Sequence, residues 1–90
     1  MKKKLKTLEE AIKELKNIEE IQSFMSDLFT DAELNEFRKR WQAAQLLSQD
    51  VPYSEIETVT GLSSTTVARV SKWLRSGKGG YRLVLDRLAQ

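Results

Sequence analysis

The sequence predicts an all-α protein of about six helices, two of which form a helix-turn-helix, and three observations carry that prediction. No stretch alternates apolar and polar residues as a half-buried strand would. The first half contains three helix-start signals, each followed by an apolar set at helical spacing. The second half contains a glycine and a capping serine placed as a three-residue turn between two short helices requires.

The start signals come first in the chain. Thr7-Leu8-Glu9-Glu10, Asn17-Ile18-Glu19-Glu20 and Thr30-Asp31-Ala32-Glu33 each set an N-cap oxygen three residues before a glutamate. The two side chains of such a box satisfy free backbone N–H groups reciprocally. The apolar sets that follow are Leu8, Ile12 and Leu15, then Ile21, Phe24, Met25 and Leu28. The third set is Leu34, Phe37, Trp41, Ala44 and Leu46 or Leu47, on a helix predicted over Asp31–Gln49. Trp41 is expected in the core. Asp50-Val51-Pro52 interrupts the pattern, and Pro52 suits the first turn of a new helix because it has no N–H to lose there.

That new helix is predicted over Tyr53–Thr60, and a second over Ser64–Leu74. Ile56, Val59, Leu62, Val67 and Val70 have the spacing to meet where the two cross. Gly61 supplies the left-handed backbone of the turn, and Ser63 is placed to cap the second helix. A flexible basic loop is expected over Ser76-Gly77-Lys78-Gly79-Gly80, then a last amphipathic helix, about 79–89, with Tyr81, Val84, Leu85 and Leu88 on one face.

Ninety residues form one thin domain, read here as 1–90 with core and dimerisation helices over about 5–50 and the helix-turn-helix over 53–74. A chain of this size buries only about 60–65% of the surface its unfolded form exposes. With no cysteine there is no disulfide to compensate, so a homodimer is expected. The absence of both cysteine and histidine excludes a zinc finger or a Cys/His redox centre, and no metal is expected. The basic start Met1-Lys2-Lys3-Lys4 is not followed by an apolar segment of signal-peptide type, and nothing approaches the ~20 apolar residues of a membrane span. A soluble, cytoplasmic protein without membrane contact is the expectation. There is no phosphate loop after a strand, and the carboxylates sit in caps and on polar helix faces, so no enzyme is expected either.

Net charge is only +2, but it is unevenly placed. Gly61 to Gln90 holds six basic residues and one acid, a net charge of +5, whereas Met1 to Thr60 carries −3. Such polarisation suits a polyanion. On the second helix of the pair, Val67, Val70 and Leu74 share one side, and Thr65, Arg69 and Lys72 the opposite one, with Ser64 and Thr66 near the start. Short hydroxyls at the tip followed by a long cation suit a helix entering the DNA major groove, with Ser64, Thr65, Thr66 and Arg69 reading bases. Lys72, Arg75 and Lys78 are placed for phosphates. Any one of these residues alone is better explained by a solvated helix face; the whole set, joined to Gly61 and Ser63, points to double-stranded DNA. Trp73 falls between the two faces, more in keeping with an interface or core than with DNA. The alternative is a non-enzymatic helical interaction module whose basic C-terminal third binds a protein or RNA partner.

The helix order, together with Gly-Leu-Ser-Ser-Thr-Thr-Val-Ala-Arg-Val at 61–70 and Arg75-Ser76-Gly77-Lys78-Gly79-Gly80-Tyr81, resembles the Trp repressor superfamily, closest to its YerC/YecD-type branch. The likeness runs from about Leu5 to Leu88. It implies six helices in an intertwined homodimer and a transcriptional regulator, a repressor, of double-stranded DNA. In the Trp repressor the indole of the corepressor lies between arginines of two helices, beside a glycine that follows the recognition-helix arginine. Arg69 matches that arginine and Lys39 falls near the other, flanked by Arg38 and Arg40, so an effector pocket would involve Lys39 and Arg69. Val70 stands at the glycine, however, and a lysine lacks the planar guanidinium fork. L-tryptophan is therefore not expected as a cofactor. Glu57 also departs from the pattern: a small residue is usual between the helices, so Glu57 is expected to point outward.

Overall fold

The computed structural model describes residues 3–90; Met1 and Lys2, the start of the basic N-terminal run, lie outside it. Six helices follow one another: α1 (Leu8–Lys13), α2 (Ile18–Leu28), α3 (Asp31–Ser48), α4 (Tyr53–Thr60), α5 (Ser64–Ser76) and α6 (Gly80–Leu88). There is no strand among the described residues. The chain divides into two compact units, one ending at Leu34 and one running from Asn35 to Gln90, with the division inside α3.

In the first unit, local sequence chemistry accounts for each helix start. Glu10 N–H donates to Thr7 Oγ1 at 3.1 Å while Thr7 N–H donates to Glu10 Oε1 at 3.2 Å, the reciprocal box that the sequence predicts. Thr30 and Glu33 repeat it, at 3.1 and 2.9 Å. The middle box differs by one residue. Asn17 Oδ1 accepts from Glu20 N–H, but the Glu20 carboxylate reaches past the cap to the N–H of Lys16, at 2.9 Å. The first helix is also shorter than predicted: Glu14 closes it, and Leu15 lies beyond its end. No residue of α1 or α2 is buried. Their apolar side chains Leu8, Ile12, Phe24, Met25 and Leu28, with Leu15 from the connection between them, instead line a groove of about 220 Å³.

The second unit holds the core. Ala43 and Ala44 of α3, Ile56 of α4, Leu62 of the turn, and Val67 and Val70 of α5 are buried together. Two alanines at the α3 contact leave room for the branched residues of the other elements to approach closely. Trp41, predicted as core, is half-buried against this cluster with its ring stacked on Tyr81 of α6, centroids 6.2 Å apart. Burial pushes the Tyr81 phenol above its ordinary value, and the Arg40 charge works in the opposite direction.

Four expectations are corrected here. Val59 is 53% exposed, and the buried position at the end of α4 belongs to Thr60. The helix turns its Ile56/Thr60 side inward, an i, i+4 pair, and the threonine is accommodated because its hydroxyl is satisfied twice. It donates to Ile56 O at 2.7 Å and accepts from Leu62 N–H at 3.2 Å. Phe37 is likewise exposed, at 40%. The glycine-rich segment is shorter than predicted, because α5 continues to Ser76 and α6 begins at Gly80. Gly77 and Gly79 are both required by geometry: a Cβ on Gly77 would fall 2.4 Å from Trp73 O, and Gly79 has φ +85°. On α6, Tyr81 and Leu85 are half-buried, while Val84 and Leu88 face outward.

Candidate nucleic-acid interface

The helix-turn-helix is assembled from the turn outward. Gly61, at φ 75° and ψ 6°, closes α4 in the left-handed region, its N–H donating to Glu57 O at 2.8 Å. Leu62 drops into the core, and Ser63 caps α5 by accepting from Thr66 N–H at 3.2 Å. Ile56, Val67 and Val70, none with measurable exposure, fix the crossing of the two helices against α3. Glu57, expected to point outward, is half-buried.

That packing decides what α5 presents. Val67, Val70, Ser71 and Leu74 face inward, which leaves Thr65, Arg69 and Lys72 exposed on the opposite side, with Ser64 exposed at the tip. The structure thus brings Ser64, Thr65, Arg69 and Lys72 to one surface. Thr66 is different: half-buried, its Oγ1 accepts from the Ser63 hydroxyl at 3.0 Å, which ties the side chain to the cap and leaves its own hydroxyl hydrogen to donate. Arg75 is exposed one turn beyond, its Nε donating to Ser71 O at 3.3 Å, and Lys78 is exposed in the turn before α6.

The electrostatics favour an anion. No acidic residue lies in the first turn of α5, where the helix dipole places partial positive charge. Among the described residues the ion pairs are Lys6–Glu10 and Arg40–Glu36, so Arg69, Lys72, Arg75 and Lys78 carry no carboxylate partner. An exposed helix with hydroxyls at its positive end and unpaired cations along one face can engage phosphate oxygens and base edges together.

Two features were not read from the sequence. The Arg40 guanidinium lies 5.7 Å from the centre of the Trp73 ring and 5.8 Å from that of Phe37. The α3 cation set against the α5 indole is thus Arg40, one residue after Lys39, which is half-buried. The Phe37/Arg40 spacing on α3 hinted at half of this cluster; Trp73 joins it only through tertiary packing. Secondly, the Tyr53 hydroxyl donates to Ser71 Oγ, tying the start of α4 to the inward side of α5. Among the described residues no group of carboxylates could hold a metal ion, and no helix is long and apolar enough to cross a membrane.

Comparison with known proteins places this geometry in a family. The model of the Trp repressor protein family matches residues 3–89. The uncharacterized protein YerC of Bacillus subtilis is 36% identical over 88 residues, covering 98% of this chain and 85% of YerC. A proposed Trp repressor of Staphylococcus aureus superposes with a TM-score of 0.85 at 36% identity, over 91% of this chain and 82% of that one. A TrpR-like protein of Eubacterium eligens superposes with a TM-score of 0.87 at 34% identity, over 92% of this chain and 86% of its own.

Proposed function

Because the chain belongs to the Trp repressor family, we propose that it is a dimeric regulator of transcription, a repressor, that reads the major groove of double-stranded DNA with α5. It is not an enzyme, in keeping with a family of DNA-binding regulators. The observation that carries the proposal is the exposed Thr65/Arg69/Lys72 face on a helix whose other side is locked into the core. Thr65 and Arg69 stand one turn apart at the tip, and Arg69 has the reach and the fork for a guanine O6/N7 pair. Ser64 reads alongside them, while Lys72, Arg75 and Lys78 hold phosphates. Thr66 serves mainly to fix the tip, through its bonds with Ser63.

Selection of bound sequences from random duplex DNA by the purified protein tests this. The expected result is an enriched near-palindrome with half-sites about one helical turn apart, since a dimer presents two copies of α5. Arg69→Ala should relax the preference at one base pair, costing about 1–3 kcal/mol, whereas Lys78→Ala should weaken all sequences alike. A folded protein that enriches no sequence overturns the proposal and favours a protein or RNA partner instead.

L-tryptophan is not the effector in this reading. Val70, the counterpart of the glycine beside the indole in the Trp repressor, has no exposed surface, which supports a filled slot. The indole of Trp73 already lies against Arg40. Calorimetry should show no saturable heat with L-tryptophan; micromolar binding would contradict this.

A further inference from the structure

We propose that the cleft between the end of α3, the start of α4 and the α5–α6 pair is an oxyanion site, gripping a phosphate or carboxylate group through Arg75 and Arg82. The cleft, about 440 Å³ in volume, lies wholly within the second unit. Arg75 enters it from α5 and Arg82 from α6, and neither has a carboxylate partner among the described residues. Two guanidinium groups from separate elements lining one concavity are the arrangement that planar oxyanions select, because each offers parallel N–H donors.

The rest of the wall has the same polarity of hydrogen bonding. Tyr53 and Ser71 possess two hydroxyl hydrogens and spend one on the bond between them, which leaves a donor over in a wall where Ser71 is only 5% exposed. Pro52 and Tyr53 belong to the cleft as the cap and first residue of α4, a helix start without a side-chain cap. Asp50 is the acid of the lining, one negative charge against two positive, on backbone at φ 60°. The cleft is therefore rich in donors and net positive, with the Asp50 carboxylate as its one charged acceptor and donors left over. An anionic oxygen accepts from them.

The anion has two possible sources, a free small molecule or a phosphate of the DNA strand, and they share this chemistry. The consequence for DNA rests on the proposed function, in which Arg75 already holds a phosphate: a free anion would compete for it, whereas a DNA phosphate would recruit Arg82 as well.

The test uses the full chain and Arg82→Gln, an exposed position whose change leaves the core untouched. Inorganic phosphate and acetate are titrated, each against chloride at matched ionic strength, while the amide and arginine Nε–H resonances are followed by NMR. Saturable shifts at Tyr53, Ser71, Arg75 and Arg82, lost in Arg82→Gln, support a free anion as occupant. In parallel, the salt dependence of duplex binding is measured. A slope shallower by about 0.9 in Arg82→Gln supports a DNA phosphate. The absence of both, no saturable shifts and no change in slope, overturns the site. A wild-type protein that binds no duplex, yet shows saturable shifts, would sink the DNA reading while leaving the site standing.

Discussion

The two units follow the same sequence rules and come out differently. Up to Leu34 the chain carries a cap at every helix start, Thr7, Asn17 and Thr30, yet Leu8, Ile12, Ile18, Ile21 and Leu28 remain 39–68% exposed. From Asn35 onward caps are fewer, with Pro52 and Gly79 offering no side-chain bond, but Ile56, Val67 and Val70 are sealed completely. Caps and apolar periodicity therefore specify a helix and the side it would bury. They do not specify that the same chain supplies the surface to bury it against. In the second unit α3, α4 and α5 close on each other. In the first, α1 and α2 bury none of their residues, and under the proposed function a second copy covers their apolar side.

The largest expected effect comes from breaking the sealed unit. Ile56→Ala removes a fully buried side chain from the centre of the helix crossing and should cost about 2–5 kcal/mol of stability, read from denaturant midpoints. A loss below about 1 kcal/mol would mean that the crossing is not held by this core, and the contrast between the units would fail.

A smaller but more telling effect is expected from Phe24→Ser combined with Leu28→Asn in the groove of the first unit. In an isolated chain, changes at such incompletely buried positions alter stability little. If a second copy covers them, each side chain contributes about 1.5–3 kcal/mol to association, and the dimer dissociation constant should rise at least tenfold in sedimentation equilibrium. An unchanged association state would show that the groove is not the dimer surface.

What was legible in the sequence follows the same division. The helix-turn-helix could be read almost to the residue, since Gly61, Ser63 and the apolar spacing are local signals with local consequences: α4 has the bounds the sequence predicts, and α5 overruns by two residues. Val59 misled because i+3 and i+4 spacings are equally helical, and only the α3 surface decides which is turned inward. Among the proposed DNA-reading residues, the exposed side of α5 was legible as the complement of its apolar side. The bond that Thr66 Oγ1 accepts from Ser63 was not, because a threonine three residues after a capping serine has two roles open to it. Least legible were Arg40 against Trp73, Tyr53 on Ser71, and Arg82 in one cleft with Arg75, all meetings between side chains of different helices. No periodicity encodes such meetings.

The smallest expected effect concerns Tyr81, where the second unit is only half sealed. Burial disfavours its phenolate, so its pKa is raised above 10.0, while Arg40 moderates the shift. The unfolded chain then loses this proton first as the pH rises. Stability linked to Tyr81 is fully present below about pH 10 and falls as the pH climbs through that value towards the folded pKa. In a Tyr53→Phe background Tyr81 is the one remaining tyrosine, and its phenolate absorbance should titrate above pH 10. Adding Arg40→Gln should move the midpoint higher still, because the moderating charge is gone. A lower midpoint would mean that Arg40 acts on Tyr81 through packing rather than charge: losing its stem would open the Trp41–Tyr81 stack to water and ease the phenol's ionisation. The two signs thus separate a charge that tunes a half-buried ring from a side chain that keeps it covered.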